Sequence, residues 1–176
     1  IPERITLIEG YTFAGCNSLT SITIPDSVAT IGNNAFATCT GLTNVTIPNN
    51  VASIKYRAFA GCAGLLSVTI PRSVTDIGDS VFVDCSGLTS IAIPDTIAVF
   101  GARTFQGCTS LTNIAIPSSV FEIGFSAFAD CVSLTSVTIP TGVRIVDIAA
   151  FSNCSGLTSI SIPNTVHKIG GYAFSG

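Results

Sequence analysis

Proline recurs in this chain every 23 residues and occurs nowhere else. The seven cysteines and eight of the eleven phenylalanines keep the same interval. A fixed period of roughly 20–50 residues is the signature of a solenoid, in which each unit stacks on the next. We therefore expect residues 1–176 to form a single array of about eight repeats, incomplete at both ends. The prolines that set the register are Pro2, Pro25, Pro48, Pro71, Pro94, Pro117, Pro140 and Pro163.

Each unit contains a short segment with the pattern of a β-strand. In residues 19–25, Ile22 and Ile24 are two positions apart and share one face, whereas Thr23 faces the other way. The proline that follows ends the strand because it has no N–H for the ladder. A second apolar pair follows the proline, and the last part of the unit, as in residues 34–39, is too short for a stable helix. It predicts one helical or 3-10 turn.

The complete unit has the pattern I-P-x-S-V-x-x-I-G-x-x-A-F-A-x-C-x-G-L-T-S-V-T-I-P, and it closely resembles the BspA-like class of leucine-rich repeats over the whole chain. It departs from the commoner leucine-rich consensus, which has Asn or Cys where this chain has residues such as Ser27 and Thr96. The resemblance implies a leucine-rich-repeat solenoid of the α/β type that is mostly β. Each repeat would place a parallel strand on the concave face and a short strand and a 3-10 or helical turn on the convex side.

The resemblance also implies a function class. Members of this family are surface or secreted proteins of host-associated bacteria and mucosal protozoa, and some resemble adhesins for matrix proteins such as fibronectin or fibrinogen. We therefore expect a noncatalytic protein-binding module, extracellular or on the cell surface, whose partner is a host-surface or matrix protein. No binding residue of the family can be transferred to a numbered position here.

Charge and hydropathy exclude two kinds of partner. Only 10% of the residues are charged, the net charge is -3, and the seven Lys and Arg residues are scattered along the chain. Phosphate binding needs clustered basic residues, so we expect no nucleic-acid partner. No apolar run approaches the ~20 residues that a membrane-spanning helix needs, so we expect no membrane insertion of this segment. The oligomeric state is left open.

The residues that could carry chemistry favour structural roles. The cysteines follow the phenylalanine turn and are expected to be buried thiols, with no disulfide or zinc spacing. His167 is the only histidine and is expected to be an exposed variable residue. Asp84 and Asp130 lack the surrounding oxygen ligands of a calcium site. We predict no catalytic residue, metal or cofactor, and Asn44 and Asn153 fit the glycosylation sequon without further support.

The strand face is the first candidate binding surface, and seven strands at a spacing of ~4.8 Å predict one sheet roughly 30 Å across. It is uncharged and rich in hydroxyls but has few aromatic or Arg anchors, which favours weak or multivalent binding. A less favoured alternative for this regular hydroxyl face is ice binding, against which the curvature of a leucine-rich array and the interruptions at Leu66, Ala92 and Ala115 count. The candidate contact residues are Thr20, Thr43, Asn44, Ser67, Thr89, Ser90, Thr112, Asn113, Thr135 and Ser136.

The second candidate surface consists of apolar residues at variable positions of the fifth to seventh units. If the coils stack in register, these side chains are expected to gather into one exposed convex patch, and such patches mark contact sites. The alternative function is then a structural or scaffold subunit that docks through this patch into a larger assembly. The patch residues are Val99, Phe121, Phe125, Ile145 and Ile148.

Overall fold

The computed structural model describes all 176 residues and shows a parallel β-solenoid of about seven turns. Each 23-residue coil runs through a short strand, a segment of turns and a longer strand, and then through the proline into the next coil. Equivalent segments of successive coils pair in parallel, with each residue opposite the residue 23 positions later. The predicted leucine-rich-repeat solenoid is confirmed.

The longer strands form the long-strand ladder. Their three residues alternate outward, inward and outward, as in Asn44–Thr46, where only Val45 is buried. The inward branched side chain packs on the core, and the outward Ser, Thr and Asn side chains meet solvent. The strands are β2 (Ser21–Thr23), β4 (Asn44–Thr46), β6 (Ser67–Thr69), β8 (Ser90–Ala92), β11 (Ser136–Thr138) and β13 (Ser159–Ser161).

The two-residue strands form the short-strand ladder on another face of the coil. Most of them place one Ile or Val in the core, as Thr30–Ile31 does with Ile31. The strands are β1 (Leu7–Ile8), β3 (Thr30–Ile31), β5 (Ser53–Ile54), β7 (Asp76–Ile77), β9 (Val99–Phe100), β10 (Glu122–Ile123), β12 (Ile145–Val146) and β14 (Lys168–Ile169).

A tight turn at each proline connects the two ladders. The carbonyl of Pro25 accepts a hydrogen bond from the amide of Val28 at 3.0 Å, and the same bond recurs after each of the other seven prolines. Because proline cannot donate to a ladder, it marks the point where the chain leaves the strand. The chain therefore changes direction at the same place in every coil.

The segment between the short and long strands forms a third ladder, which we call the turn ladder. In the second coil the amides of Asn34, Phe36 and Thr38 donate to carbonyls of the next coil at 2.9, 2.8 and 2.6 Å. Asn34 and Thr38 have positive φ angles of 55° and 57°, and every complete coil repeats this pair of left-handed residues. Left-handed backbone costs a non-glycine residue about 1–2 kcal/mol. The inter-coil hydrogen bonds and the packing of the intervening phenylalanine offset that cost.

The turn ladder differs in detail from the expected helical or 3-10 turn. Its bonds within a coil do span three residues, as from the Cys39 amide to the Phe36 carbonyl at 3.2 Å. The left-handed residues, however, break each segment into separate turns, so that no helix forms. Helical backbone would have directed all N–H groups along its own axis, whereas this backbone directs alternate amides at the next coil.

The core lies between the three ladders and contains a continuous stack of aromatic rings. Neighbouring rings from Phe13 to Phe174 have centroids 5.1 to 5.7 Å apart and lie within 16° of parallel. The rings from Phe36 to Phe151 in this stack are fully buried. Each coil therefore contributes one ring to a shared core that no single coil could bury alone.

The expected seven-strand sheet is wrong in one respect, because the long-strand ladder is interrupted. The segment 113–115 of the fifth coil forms no strand, so the ladder consists of four strands, a gap and two strands. The short-strand ladder is also divided, between β7 and β9. The hydrophobic pattern did not reveal either gap, since Ile114 is buried like Ile91 and Val137 in the neighbouring coils.

Candidate binding surface

The strand face presents all ten of the predicted contact residues to solvent. Asn44, Ser67, Ser90 and Ser136 lie in the long strands, whereas Asn113 lies in the segment of the fifth coil that forms no strand. The alternation of the strand explains the exposure, because the neighbouring Ile or Val occupies the core side. The ten exposed residues are Thr20, Thr43, Asn44, Ser67, Thr89, Ser90, Thr112, Asn113, Thr135 and Ser136.

These residues divide into two groups by their hydrogen bonds. The Oγ1 hydroxyls of Thr43, Thr89 and Thr135 donate to carbonyls of the preceding coil at 3.2, 3.0 and 3.3 Å. These threonines hold neighbouring coils together. The serines and asparagines that follow them in the strands, such as Asn44 and Ser67, make no side-chain hydrogen bond within the chain, so their polar groups can meet a partner.

A groove of about 900 Å³ lies on the strand face of the first three coils. Its floor consists of outward side chains from three adjacent strands, among them Ser21, Asn44 and Ser67, and the proline turns form its wall. Asp26 and Asn49 also line it, although neither is among the contact residues predicted from the sequence. Both directly follow a proline, at a position whose residue type differs from one repeat to the next. This variation, next to the ends of the long strands, was the signal in the sequence that could have identified them as contact residues.

The strand face is less regular in its second half. The row that begins with Thr23, Thr46 and Thr69 continues with Ala92 and Ala115 before Thr138 restores the hydroxyl. Ala115 also belongs to the segment without a strand. The hydroxyl surface that ice binding would use is thus interrupted at Ala92 and Ala115, and the exposed Leu66 interrupts the neighbouring row of threonines in the third coil.

The structure brings together only some of the apolar patch. Phe121, Phe125 and Ile148 are 44%, 39% and 47% exposed, whereas Val99 and Ile145 are half-buried. Phe125 and Ile148 occupy equivalent positions of adjacent coils.

Charged residues interrupt the rest of the patch. Glu122 pairs with both Val99 and Ile145 and separates them. The Arg103 guanidinium lies 5.4 Å from the centre of the Phe125 ring, as in a cation–π contact. The expected single patch is therefore a set of smaller apolar areas with charges between them.

The cysteines form a thiol ladder with a structural role. The Cys62 Sγ donates to the Phe36 carbonyl of the preceding coil at 3.1 Å, and the other cysteines from Cys39 to Cys154 make the same bond. Burial raises the pKa of the Cys62 thiol to about 12 and that of Cys154 to about 11. A thiol that stays protonated is a poor nucleophile and metal ligand. Only Cys16 of the first coil is exposed.

Three isolated ion pairs lie on the surface. Lys55 lies 2.7 Å from Asp76, whose pKa is lowered by hydrogen bonds from the side chains of Lys55 and Ser53. His167 and Asp84 are exposed, and Asp130 accepts hydrogen bonds from Gln106 and Asn153. No three His, Cys, Asp or Glu side chains lie together as a metal site would require. No helix in the structure could span a membrane.

The whole chain matches a family model. The model for the BspA type leucine-rich repeat region matches residues 1–89 and 75–176, in six copies. This family suggests a protein-interaction module of a generally noncatalytic kind. No curated protein matches the chain.

Solved bacterial structures share the fold. The leucine-rich repeat protein of T. pallidum is 32% identical with a TM-score of 0.81, covering 86% of this chain and 73% of that one. The repeat protein of Eubacterium ventriosum is 32% identical with a TM-score of 0.83, and the match covers 89% of this chain but 42% of that one. A leucine-rich cell surface protein of Faecalibacterium prausnitzii is 33% identical with a TM-score of 0.70, covering 93% of this chain and 53% of that one. With the repeat, the ladders and the family model in agreement, the chain belongs to the BspA-type leucine-rich repeat family.

Proposed function

We propose that this array is the binding region of a cell-surface or secreted adhesin, and that its strand face contacts a host-surface or matrix protein. The observation that carries the proposal is the groove on the first three coils, whose floor consists of polar side chains such as Asn44 and Ser67 that have no bonding partner within the chain. Other residues, such as Thr43 and Thr89, already hold the coils together. The groove residues are therefore available for a partner without loss of the fold.

The likeness to the Faecalibacterium prausnitzii cell surface protein supports the proposed location. The chain spans about half of that protein, so the activity of a whole surface protein is part of the proposal. The strand face lacks the Trp, Tyr and Arg anchors that dominate tight interfaces. A single array should therefore bind weakly, and several arrays on one surface should bind strongly through avidity.

The test compares binding of the array with that of a variant whose groove is blocked. The purified chain, clustered on beads, is exposed to fibronectin, fibrinogen and host cells. The variant Asn44→Arg/Ser67→Arg places two long charged side chains in the groove. The matched control, Ala29→Arg/Ala52→Arg, adds the same charges at exposed positions of the same two coils on the short-strand side. We expect the first variant to lose binding and the control to keep it.

Two results would contradict the proposal. One is that the wild-type array binds none of these targets. The other is that the groove variant and the control bind equally well, which would place the contact elsewhere on the array. Circular dichroism of each variant shows that a loss of binding does not follow from unfolding.

A second candidate is a structural subunit that docks through the apolar areas around Phe121 and Phe125. The exposure of these rings and of Ile148 favours it, because exposed apolar areas mark contact sites. Size-exclusion chromatography with light scattering of the wild type and of Phe121→Ser/Phe125→Ser tests it. An oligomer that the double substitution converts to a monomer supports this candidate, and a monomer in both cases contradicts its self-association.

A further inference from the structure

The contact between the fourth and fifth coils, residues 71–93 and 94–116, differs from the other contacts in the array. Elsewhere on the short-strand side the amide of one coil donates to the coil before it, as Phe121 does to Ala98 at 2.9 Å and Gly124 does to Phe100 at 2.8 Å. The equivalent bonds from Ala98 and Gly101 back to the fourth coil are absent. The short-strand ladder ends at β7 and begins again at β9.

The long-strand ladder is interrupted at the same contact and, because residues 113–115 form no strand, it resumes fully only between the sixth and seventh coils. The amide of Thr135 donates to the Thr112 carbonyl at 3.2 Å, but the amide of Thr112 makes no such bond to Thr89. The remaining backbone hydrogen bonds between the two coils belong to the turn ladder, and they are donated by Ser80, Phe82 and Asp84 at 2.7 to 2.9 Å. The two coils are therefore joined by backbone hydrogen bonds along one edge only. Side-chain contacts remain at the proline turn, where the Thr96 Oγ1 donates to the Val74 carbonyl at 2.6 Å and Arg72 lies 2.6 Å from Asp95.

Phe100 distinguishes the fifth coil from the others on the short-strand side. It stands where the other coils have Ile or Val, and it is almost fully buried. Its ring meets Phe105 and Phe128 edge to face, at 5.6 Å in both cases. A larger side chain in a packed core displaces its neighbours.

The aromatic stack continues across the contact. The rings of Phe82 and Phe105 are 5.7 Å apart, the same distance as Phe59 and Phe82 in the preceding contact and more than the 5.2 Å between Phe105 and Phe128 in the next. The thiol bond from Cys108 to the Phe82 carbonyl is 3.3 Å, longer than the equivalent bonds in the other coils.

Asp79 replaces part of the lost ladder. Its Oδ1 accepts a hydrogen bond from the amide of Ala102 at 2.8 Å across the contact, the only bond of this kind in the array. A Cβ on Gly101 would lie 2.3 Å from the same oxygen, so this bond depends on glycine at that position. A side-chain bond holds the two coils less rigidly than a ladder of backbone bonds, because the side chain can rotate.

We propose that the contact between the fourth and fifth coils is a hinge, about which two rigid segments, coils one to four and coils five to eight, bend with the turn ladder as the axis. Phe100 keeps the two strand ladders open, and Asp79 limits the opening. Bending at the hinge changes the angle between the polar groove of the first segment and the apolar areas of the second. The array can thereby adjust its shape to a partner, whichever surface the partner contacts.

Distances between spin labels test the hinge independently of any binding. One labelled protein carries Thr69→Cys and Thr138→Cys, which span the hinge, and the matched control carries Thr23→Cys and Ala92→Cys, which lie in one segment. Both pairs are 69 residues apart and occupy the same position in the long-strand ladder. Cys16→Ala removes the exposed native thiol, and the background protein without added cysteines shows that the buried thiols stay unlabelled.

We expect a broader distance distribution for the pair that spans the hinge than for the control pair. Phe100→Ile, which restores the side chain of the other coils, should narrow the broad distribution, and Asp79→Ala should widen it further. The second variant keeps the test decisive if the first fails to fold. Equal widths for the two pairs would overturn the proposal, and so would a broad distribution that responds to neither substitution.

Discussion

The turn ladder and the strand face belong to the same coils but respond differently to changes in side chains. The turn ladder continues through every coil, including the contact between the fourth and fifth coils where both strand ladders are interrupted. Its hydrogen bonds come from the backbone, and its side chains, such as Phe82 and Cys85, are buried. The strand face has exposed side chains, and many of them make no bond. The comparison indicates that the turn ladder carries stability, whereas the strand face is free to vary for recognition.

The largest effect that this comparison predicts is at the aromatic stack. Phe128→Ala removes a fully buried ring that packs against Phe105, Phe151 and Phe100, and it should lower the free energy of unfolding by about 3–5 kcal/mol. Phe121→Ala, in the same coil but exposed, should change it by less than about 0.5 kcal/mol. Urea denaturation measures both. A similar loss in the two variants would contradict the assignment of stability to the turn side.

The left-handed positions of the turn ladder give a second prediction, with a smaller change in the free energy of unfolding. Ala149 has a φ of 55°, so Ala149→Gly relieves left-handed strain and should raise the free energy of unfolding by about 0.5–1 kcal/mol. Ala150 next to it is buried and has no positive φ. Ala150→Gly should therefore lower the free energy by about 1 kcal/mol. Thermal denaturation of both variants tests this, and changes of the same sign would show that the left-handed backbone is not strained.

Two adjacent residues of the strand face, Thr89 and Ser90, allow a side chain that forms a hydrogen bond between coils to be compared with one that forms none. Thr89→Ala removes the hydroxyl that bonds to the Leu66 carbonyl and should cost about 0.5–1.5 kcal/mol. Ser90→Ala removes a hydroxyl that bonds to nothing in the chain and should cost less than about 0.5 kcal/mol. If chemical denaturation shows that Ser90→Ala is the more destabilising, the polar row has a structural role and the argument for free contact residues fails.

The smallest effect is expected at the ion pair of the short-strand side. Hydrogen bonds from Lys55 and Ser53 lower the pKa of Asp76, so the folded pKa is below that of the unfolded chain. The pair therefore stabilises the fold above the unfolded value of about 3.9, and this contribution is lost as the pH falls through the folded pKa. Because both side chains are about half exposed, Asp76→Asn should cost less than about 1 kcal/mol at pH 7.

The pH dependence separates this pair from other carboxylates. Asp26→Asn, which removes an exposed carboxylate outside any ion pair, is the control and should have no comparable effect. The stability difference between Asp76→Asn and the wild type should shrink as the pH is lowered below about 4. A difference that does not change with pH would mean that the charge of Asp76 contributes nothing.

Much of the fold could be predicted from the sequence because the repeat has a simple physical meaning. Ile22 and Ile24 alternate with polar residues, and proline then excludes a further strand residue, so the strand and its end follow from local rules. The buried Phe and Cys rows follow from the unbroken period, since identical side chains at a fixed interval can be buried together only if the units stack. The exposure of the ten strand-face residues could be predicted because they alternate with the inward Ile and Val residues of each strand.

Other features could not be predicted because they depend on what lies in the next coil. Phe100 looks like an ordinary apolar substitution until its ring meets Phe105 and Phe128 edge to face in the core. The apolar patch was predicted from apolar residues at variable positions of stacked repeats, and the structure places Glu122 and Arg103 among its members. The left-handed residues of the turn ladder include Tyr, Arg, Ser and Ala, which show no preference for that backbone.

The sequence by itself determined that this chain is a solenoid, where each coil begins, which side chains are buried and which face is polar. These properties follow from a period of 23 residues and from the burial of apolar surface, which depend little on exact distances. Tertiary structure alone decided where the ladders are continuous, which hydroxyls form hydrogen bonds between coils and where the groove lies. These properties depend on differences of a few tenths of an ångström between neighbouring coils, and close packing transmits such differences only once the coils are stacked.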